Sequence, residues 1–553
     1  MNRFTVRKVA VLGAGVMGAQ IAAHLVNVNV PVLLFDLPAK EGPKSGIAQK
    51  AIDGLKKLKP APLGVPEASA LIQAANYEEH LAWLEECDLI IEAIAERMDW
   101  KLELYQRIAA HVPARAIVAS NTSGLSITQL ASALPESLRA RFCGVHFFNP
   151  PRYMSLVELI PTPTTEPDVI DQLEAFATTT LGKSVVRAKD TPNFIANRVG
   201  IAGMLATIHE SEKFGLSVDI VDDLTGKKLG RASSATFRTA DVVGLDTMAH
   251  VIKTLQDNLG PDKGNDPFYS TYATPPVLSQ LIKAGALGQK TGAGYYKKVG
   301  KDILRLDPAK GDYVPGGGKA DEIVARILKK PAPERIKLLR ESSNPQAQFL
   351  WSILRDSFHY CAVHLADIAD TARDIDFAMR WGFGNTQGPF ELWQEAGWTQ
   401  VAQWIKDDIE AGKALSTAPL PAWVFNAPVA SQGVHTPEGS WSAAQQRYVP
   451  RSTLPIYERQ LFPESVLGSG SVPALKAGTE LFKNDEVRVW TLDGEVLIAS
   501  ITAKLHLISG QVTESLVKAV ELAEQKYKGL VIWSPDDVFS AGANLEALMP
   551  VFM

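Results

Sequence analysis

The 553-residue sequence has few cysteines, no excess of positive charge and no long apolar run, and each shortage excludes a class of protein. Its 3 cysteines are widely spaced and odd in number, which fits neither a disulfide framework nor a zinc signature, so we expect no metal site. The formal net charge of −5 argues against non-specific binding to nucleic acid. No apolar run reaches the ~18 residues typical of a membrane-spanning helix. No secretion signal is evident before the first strand pattern, and we therefore expect a cytoplasmic protein.

The most informative feature that is present is a glycine-rich turn between a strand pattern and a helix pattern. Apolar Val9–Leu12 precedes the hexapeptide Gly13–Gly18, and a second strand pattern, Pro31–Phe35, ends at Asp36. A strand, a glycine turn, a helix and a second strand ending in an acid about 20 residues later form the fingerprint of a dinucleotide-binding Rossmann domain. Glycine turns also occur in other folds, but the agreement of all four parts in this order favours the Rossmann domain.

Each part of this fingerprint has a physical task in binding a dinucleotide. Gly13 permits the tight turn, Gly15 lets the backbone approach the pyrophosphate, and Gly18 lets the helix pack against the strand. The free N–H groups at the helix N-terminus favour the phosphates. Asp36 can accept hydrogen bonds from the ribose hydroxyls, whereas a 2′-phosphate would face its carboxylate with no arginine next to it, so the sequence predicts NAD rather than NADP. The predicted cofactor contacts in this motif are Gly13, Gly15, Val16, Met17, Gly18 and Asp36.

Strand and helix patterns alternate in the first third of the chain and return only near its end. Between them, two helical patterns are separated and followed by stretches rich in Gly, Lys and Asp or in Pro, Ser and Ala. We predict an α/β Rossmann domain over 1–186, a helical domain over 187–297, a linker over 298–345, a second helical domain over 346–412, an irregular linker over 413–482 and a small α/β unit over 483–553.

The second helical region echoes the first at low identity. Val218–Asp222 is echoed by Arg373–Asp376, and Leu229-Gly230 is echoed by Phe383-Gly384. Two unrelated helical segments could share such common residues, but we favour a weak internal duplication because the echoes occur in the same order.

A histidine and a glutamate lie in two neighbouring apolar runs. His146 ends one strand pattern, Glu158 lies inside the next, and the turn Asn149-Pro150-Pro151 separates them. Two strands joined by a short loop can place the two side chains together, and a carboxylate in apolar surroundings is costly unless it is paired. Such a pair is suited to general-base catalysis, because the carboxylate orients the imidazole and stabilises it once protonated. The alternative is a buried structural histidine.

Together these motifs resemble the (S)-3-hydroxyacyl-CoA dehydrogenases of fatty-acid β-oxidation. The resemblance is carried, in chain order, by the glycine turn with Asp36, by Glu92-Ala93-Ile94-Ala95-Glu96, Ser120–Ser123, His146–Pro150, Glu158, Asn193–Arg198 and Lys290–Tyr296. The second helical region resembles the second dehydrogenase C-terminal repeat of the multifunctional β-oxidation proteins. The resemblance implies a Rossmann domain, two all-α dehydrogenase C-terminal repeats and NAD as cofactor. It also implies an acyl-CoA thioester as substrate, a homodimer, and a thiolase as a candidate partner.

The resemblance also implies roles for individual residues. His146 is the expected general base and Glu158 its partner, while Ser123 and Asn197 are expected to hold the hydroxyl and thioester oxygens. The expected support for the polar head of the substrate is Asn149. Lysines near position 57 could meet the CoA phosphates or could form a solvated helix face. The remaining expected contacts are Glu96, Lys101 and Asn121 to NAD, and Lys57 to the CoA phosphates.

The end of the sequence resembles a different family. Phe539–Leu545 follows a strand pattern and resembles the first oxyanion-hole segment of the enoyl-CoA hydratases (crotonases), in which the N–H of Ala543 would face the thioester oxygen. In that family the second oxyanion N–H and the acid–base carboxylates lie further downstream. We therefore expect 483–553 to be a partial crotonase-like segment and the hydratase half to be inactive in this sequence.

Two other functions remain open at this point. One is another NAD-dependent hydroxyacid dehydrogenase with the same layout, which would usually employ a lysine as base. The other is a non-catalytic, structural NAD-binding protein on the same scaffold. The occurrence of Ser123, His146, Glu158 and Asn197 together argues against the structural protein.

Overall fold

The computed structural model describes residues 5–534, 536 and 538–547. The chain divides into two compact units, the first of Met1–Arg459 with Val466–Ser469 and the second of Gln460–Ser465 with Gly470–Met553. Within the described residues, none of the helices combines the length and the apolar character needed to cross a membrane.

The first unit begins with an eight-stranded sheet in the order β3-β2-β1-β4-β5-β6-β7-β8. All neighbouring strands are parallel except β6 and β7, which are antiparallel. The strands are β1 (Val9–Leu12), β2 (Val32–Asp36), β3 (Ile72–Asn76), β4 (Leu89–Glu92), β5 (Ile117–Ser120), β6 (Phe142–Phe147), β7 (Leu156–Pro161) and β8 (Ser184–Arg187). The helices between them are α1 (Val16–Val26), α2 (Gly46–Leu55), α3 (Met98–Ile108), α4 (Ile127–Ala131), α5 (Glu136–Arg139) and α6 (Pro167–Thr179).

The central strands of this sheet are apolar because they are buried on both faces. Every residue of β1 and β4–β6 is buried, as a parallel sheet covered by helices requires. The strand order reverses between β1 and β4, and ligands of open α/β sheets bind at such a reversal, beyond the carboxyl ends of the strands. This edge carries the glycine turn and the loops after β4 and β5.

A helical region follows the sheet and ends in a small sheet of its own. Its helices are α7 (Ala196–Lys213), α8 (Val218–Thr225), α9 (Phe237–Val243), α10 (Leu245–Leu259) and α11 (Pro276–Lys283), and its antiparallel strands are β9 (Tyr296–Val299), β10 (Asp302–Asp307) and β11 (Asp312–Pro315).

A second helical region is built in the same way. Its helices are α12 (Glu322–Ile327), α13 (Ala332–Glu341), α14 (Pro345–Ile368), α15 (Ala372–Phe383), α16 (Pro389–Glu410) and α17 (Val429–Gln432). Its strands are β12 (His435–Thr436), β13 (Gly439–Ser442) and β14 (Arg447–Val449), and α18 (Pro455–Glu458) follows.

These elements correct two expectations from the sequence. The stretches 298–345 and 413–482, expected as linkers, contain strands and helices, and the two helical regions are not all-α because each ends in a three-stranded antiparallel sheet. The strands were missed because they have only two to six residues, and those of the first small sheet, such as β9, are also largely exposed, so they lack the apolar alternation that reveals a half-buried strand.

Matching residues hold corresponding positions in the two helical regions. Asp222 accepts hydrogen bonds from the N–H groups that open α9, including that of Phe237, and Asp376 accepts them from the N–H groups of Phe390 and Glu391 at the start of α16. The two regions also match at a glycine in the left-handed region, with φ of 72° at Gly230 and 68° at Gly384. They match again at a tyrosine in the last strand of each small sheet: Tyr313 donates to Gly294 O, and Tyr448 donates to Gly433 O.

The two regions also contact each other through corresponding residues. A Cβ atom at Gly230 would lie 2.5 Å from Thr386 Oγ1, and one at Gly384 would lie 3.4 Å from the Cβ atom of Ala232. Since Gly230 corresponds to Gly384, and Ala232 occupies the position that corresponds to Thr386, the contact is reciprocal. Such reciprocity is the property of a two-fold interface.

The second unit is a four-stranded sheet with one long helix. Strands β15 (Thr479–Lys483), β16 (Val487–Thr491), β17 (Val496–Ile501) and β18 (Gly529–Trp533) lie in that order, with β17 and β18 parallel, and α19 (Gly510–Lys526) connects them. Several of its large apolar side chains are exposed in the described residues, including Val531 and Leu545.

Candidate active site

A buried histidine–glutamate pair forms the centre of the site. The antiparallel register of β6 and β7 places His146 directly opposite Glu158, and His146 Nδ1 lies 2.8 Å from Glu158 Oε2. His146 is 5% exposed and Glu158 is fully buried. Opposite residues on one face of an antiparallel pair are close enough for side-chain contact, so the strand register alone brings the two groups together.

The second oxygen of Glu158 is held by the start of α7. Glu158 Oε1 accepts hydrogen bonds from the N–H groups of Ile195 at 3.1 Å and Ala196 at 2.8 Å. The turn before this helix contains Asn193 and Phe194, both with positive φ. The helix N-terminus therefore offsets the cost of burying the carboxylate, and it joins β7 to the helical region. This contact was not predicted from the sequence.

The other nitrogen of the His146 ring is available for chemistry. Among the described residues, no hydrogen bond is made by His146 Nε2. A neutral imidazole that donates its Nδ1 proton to Glu158 carries its lone pair on Nε2, where it can accept a proton. The ring lies among aromatic neighbours, with centroid distances of 4.4 Å to Phe148 and 5.7 Å to Phe194, which keep the pair in apolar surroundings.

Glu96 organises the turn that carries Ser123. Its carboxylate accepts hydrogen bonds from Thr122 Oγ1, from the N–H of Ser123 at 2.9 Å and from the N–H of Gly124 at 3.1 Å. Burial acts to raise the pKa of Glu96, but the charge of Lys101 and these donated hydrogen bonds outweigh it and hold the pKa below its usual value. Glu96 is thus an anionic anchor for this turn.

The other polar residues expected at the site make no hydrogen bond to the pair within the described residues. Asn121 Oδ1 accepts the N–H of Phe147, next to His146, at 2.9 Å. Asn149 is exposed and accepts a hydrogen bond from Gln20 Nε2 at 3.3 Å, and Asn197 is partly buried in the first turn of α7. Within the described part of the chain, no hydrogen bond joins Ser123, Asn149 or Asn197 directly to His146.

The glycine turn has the shape that a dinucleotide requires. Gly13 has a φ of +109°, and a Cβ atom on Gly18 would lie 1.8 Å from Gly13 O. A Cβ atom on Gly15 would meet nothing within 4 Å, so the space beside this residue is open. No side chain caps the N-terminus of α1, and Val16 is 69% exposed there. The N–H groups of this helix are therefore left for a ligand.

Asp36 lies at the end of β2 beside this turn. Its carboxylate accepts hydrogen bonds from the N–H of Ala14 at 2.6 Å and from the N–H of the next residue, Leu37, at 2.7 Å. These bonds fix the orientation of the carboxylate, and a carboxylate has further lone pairs for ribose hydroxyls. Met17, in the first turn of α1, is partly buried.

The two lysines expected to contact ligands differ in exposure. Lys101 is only 1% exposed, and its Nζ lies 2.6 Å from Glu92 Oε1 and 3.7 Å from Glu96 Oε2. Lys57 is exposed, just beyond α2. The loop after Asn149 is tied to the segment that follows Lys57, because Arg152 Nη1 donates to the carbonyl of Leu63 at 2.6 Å.

The residues around Ala543, in the second unit, form an exposed loop that pairs with Ile508. Ala543 forms a parallel bridge with Ile508, and the N–H of Asn544 donates to Ile508 O at 2.9 Å. Gly542 has a φ of +93°, which favours glycine at this turn.

Two family models match the first half of the chain. A model described as "3-hydroxyacyl-CoA dehydrogenase, NAD binding domain" matches residues 8–191, and one described as "3-hydroxyacyl-CoA dehydrogenase, C-terminal domain" matches residues 194–298. The matched residues include the glycine turn, the histidine–glutamate pair and α7.

Similar proteins extend beyond these two domains. A Bacillus subtilis (strain 168) protein described as "Probable 3-hydroxyacyl-CoA dehydrogenase" is 35% identical over 571 residues, covering 98% of this chain and 68% of that protein. A Rickettsia felis protein described as a fatty acid oxidation complex trifunctional enzyme is 30% identical over 556 residues, covering 98% of this chain and 69% of its own length. The fold is also similar to the crystal structure of 3-hydroxybutyryl-CoA dehydrogenase from Escherichia coli K12, with a TM-score of 0.56 and 22% identity over 76% of this chain and 98% of that one.

Proposed function

Because the chain belongs to the 3-hydroxyacyl-CoA dehydrogenase family, we propose that His146 and Glu158 carry out the NAD-dependent oxidation of (S)-3-hydroxyacyl-CoA to 3-oxoacyl-CoA. The observation that supports this assignment is the buried pair itself, with Nδ1 and Oε2 2.8 Å apart and Nε2 left free for a substrate. An alcohol can lose a hydride only if a base takes its hydroxyl proton, and the imidazole is suited to that task.

His146 accepts the hydroxyl proton at Nε2, and Glu158 stabilises the resulting imidazolium. Glu158 cannot turn away from the ring, because the N–H groups of Ile195 and Ala196 hold its other oxygen. When bound, NAD supplies the hydride acceptor for this reaction. Ser123 and Asn197 hold the hydroxyl and thioester oxygens, and Asn149 supports the polar head of the substrate. Lys57, whose side chain is exposed, meets a phosphate of CoA.

The test of this proposal is the formation of NADH with (S)-3-hydroxybutyryl-CoA. We expect NADH absorbance to rise with the S enantiomer and to stay at the background rate with the R enantiomer, since base and hydride acceptor face fixed sides of the carbon. Equal rates with both enantiomers, or no reaction with either, would refute the proposal.

Replacing Asp36 with alanine is expected to weaken the preference for NAD over NADP. The carboxylate accepts charge-assisted hydrogen bonds from the ribose and repels a 2′-phosphate, so its loss should cost NAD about 1–2 kcal/mol relative to NADP. The measurement is kcat/KM with each cofactor, for the wild type and for Asp36→Ala. A wild type that reacts equally well with NADP would contradict the role given to Asp36.

Alanine at Gly15 and at Gly18 should separate cofactor binding from folding. Gly15→Ala adds a methyl group to open space, so the thermal midpoint should stay near the wild-type value while the NADH Kd rises by about tenfold or more. Gly18→Ala places a methyl group against Gly13 O and should lower the thermal midpoint as well. The two quantities are measured by thermal unfolding and by NADH fluorescence titration. Wild-type NADH affinity in Gly15→Ala would show that the pyrophosphate lies elsewhere.

The second helical region is a duplicated copy of the first. The matched helix caps at Asp222 and Asp376 and the matched left-handed glycines support this part of the proposal. The copy extends through β12–β14, beyond the 346–412 expected from the sequence, because Tyr448 repeats the contact that Tyr313 makes in the first region.

The second unit is related to the enoyl-CoA hydratases. The exposed turn at Gly542 and its pairing with Ile508 support an oxyanion contact from the N–H of Ala543. The similarity to the trifunctional fatty acid oxidation protein of Rickettsia felis over 98% of this chain is in line with this assignment.

A further inference from the structure

Glu92, the last residue of β4, is a buried acid that the reaction described above does not use. Its side chain is fully buried and accepts four hydrogen bonds. Oε1 accepts Lys101 Nζ at 2.6 Å and the N–H of Ile94 at 2.8 Å, and Oε2 accepts Tyr105 Oη at 2.9 Å and Ser120 Oγ at 2.7 Å. Four donors use all the lone pairs of a carboxylate, and the ammonium group compensates its charge.

These four donors belong to three different segments at the cofactor edge of the sheet. Ile94 lies in the loop after β4, Ser120 ends β5, and Lys101 and Tyr105 lie one turn apart on α3. The backbone of Glu92 adds a fifth hydrogen bond, because its carbonyl accepts the N–H of Asn121, directly after β5, at 2.7 Å. A single side chain thus sets the relative positions of the loops that face the dinucleotide.

Lys101 extends this arrangement to the substrate side. Its Nζ lies between two carboxylates, 2.6 Å from Glu92 and 3.7 Å from Glu96. Glu96 in turn holds the N–H groups of Ser123 and Gly124. If Glu92 lost its charge, the buried ammonium group would lose its nearest counter-charge and would shift toward Glu96. The hydrogen bonds that Glu96 accepts from Thr122, Ser123 and Gly124 would keep the Ser123 turn in place, so on this side the change is confined to Lys101 and α3.

We propose that Glu92 is a positioning residue for the cofactor, acting through Lys101 and the loops after β4 and β5 rather than by touching NAD. The inference rests on the proposed function only because it assumes that NAD binds at this edge of the eight-stranded sheet. It assigns Glu92 a role in cofactor affinity, and none in proton transfer.

The experiment compares Glu92→Gln with Asp376→Asn. Asp376 is also a fully buried acid with several donors, but it lies in α15 of the second helical region, where it accepts the first N–H groups of α16. Both variants should lower the thermal midpoint, because each removes a buried charge from its partners. Only Glu92→Gln should raise the NADH Kd and the KM for NAD, by about tenfold, with kcat and the KM for the acyl-CoA ester changed less than about threefold.

The proposal is overturned if Glu92→Gln binds NADH within about twofold of the wild type, or if Asp376→Asn weakens NADH binding to the same extent. If Glu92→Gln does not fold, Glu92→Asp keeps the charge but withdraws it from Lys101, and it should raise the NADH Kd in the same direction by a smaller factor. NADH titration needs no acyl-CoA, so a wild type that binds NADH but does not oxidise the ester would contradict the proposed function and leave this inference standing.

Discussion

Replacing His146 with glutamine is expected to lower kcat by about two to four orders of magnitude, the usual contribution of general acid–base catalysis. Glutamine can still hydrogen bond to Glu158, but it cannot take a proton from the substrate hydroxyl. The NADH Kd should stay near the wild-type value, because among the described residues no hydrogen bond or ring contact joins His146 to the glycine turn. Steady-state kinetics and fluorescence titration provide the two measurements.

A matched control for this variant is His359→Gln. His359 is also fully buried, and its Nε2 hydrogen bonds to Ala418 O in the second helical region. Burial lowers the pKa of His359 to about 4, so this ring stays neutral near neutral pH and is a poor proton acceptor. We expect kcat of His359→Gln to remain within about twofold of the wild type. A His146 variant with normal turnover would identify His146 as a structural histidine.

The second large effect is expected for Glu158→Gln. The glutamine oxygen can still accept the N–H groups of Ile195 and Ala196, which leaves its amide group facing His146 Nδ1. An amide N–H there favours the ring tautomer with its proton on Nε2, the nitrogen that must accept the hydroxyl proton. We therefore expect kcat to fall by about two to four orders of magnitude, since loss of the orienting carboxylate of a Ser-His-Asp triad lowers kcat by about four orders.

The pH–rate profile adds a readout that a change in stability alone would not move. The imidazolium of Glu158→Gln lacks its neighbouring negative charge, so the protonated ring is less stable and the acid limb of the kcat profile should move to lower pH. Asp376→Asn also breaks a buried histidine–carboxylate pair, at 2.7 Å from His435 Nε2, and should leave the profile in place. An unmoved acid limb in Glu158→Gln would contradict the pairing of Glu158 with the base.

The sequence was sufficient to predict the glycine turn and the contact between His146 and Glu158. The order of strand, glycine turn, helix and acid is local, and it predicted the turn at Gly13 and the end of β2 at Asp36 without knowledge of distant contacts. The contact between His146 and Glu158 could also be predicted from the sequence, because a short loop between two strands allows the two residues few other arrangements.

Contacts between distant segments could not be predicted in this way. The hydrogen bond from the Ile195 N–H to Glu158 depends on a turn in which Asn193 and Phe194 have positive φ. Neither residue is a glycine, so the sequence contains no signal for this turn. The acid at position 92 stands out in an apolar run, but its partners at Lys101 and Ser120 are known only once α3 and β5 are packed. Local patterns carry no information about such tertiary partners.

The reciprocal contact between the two helical regions determines whether their interface persists when the protein is diluted. An interface with two-fold character usually forms when two copies of a chain associate, and it is lost when the concentration falls below the Kd. Here Gly230 and Thr386 belong to one polypeptide, so each half meets the other at an effective concentration fixed by the connecting chain. Helix α7 of the first region packs against α14 of the second. This packing therefore persists at any protein concentration, and dilution does not remove the support of the turn that holds Glu158.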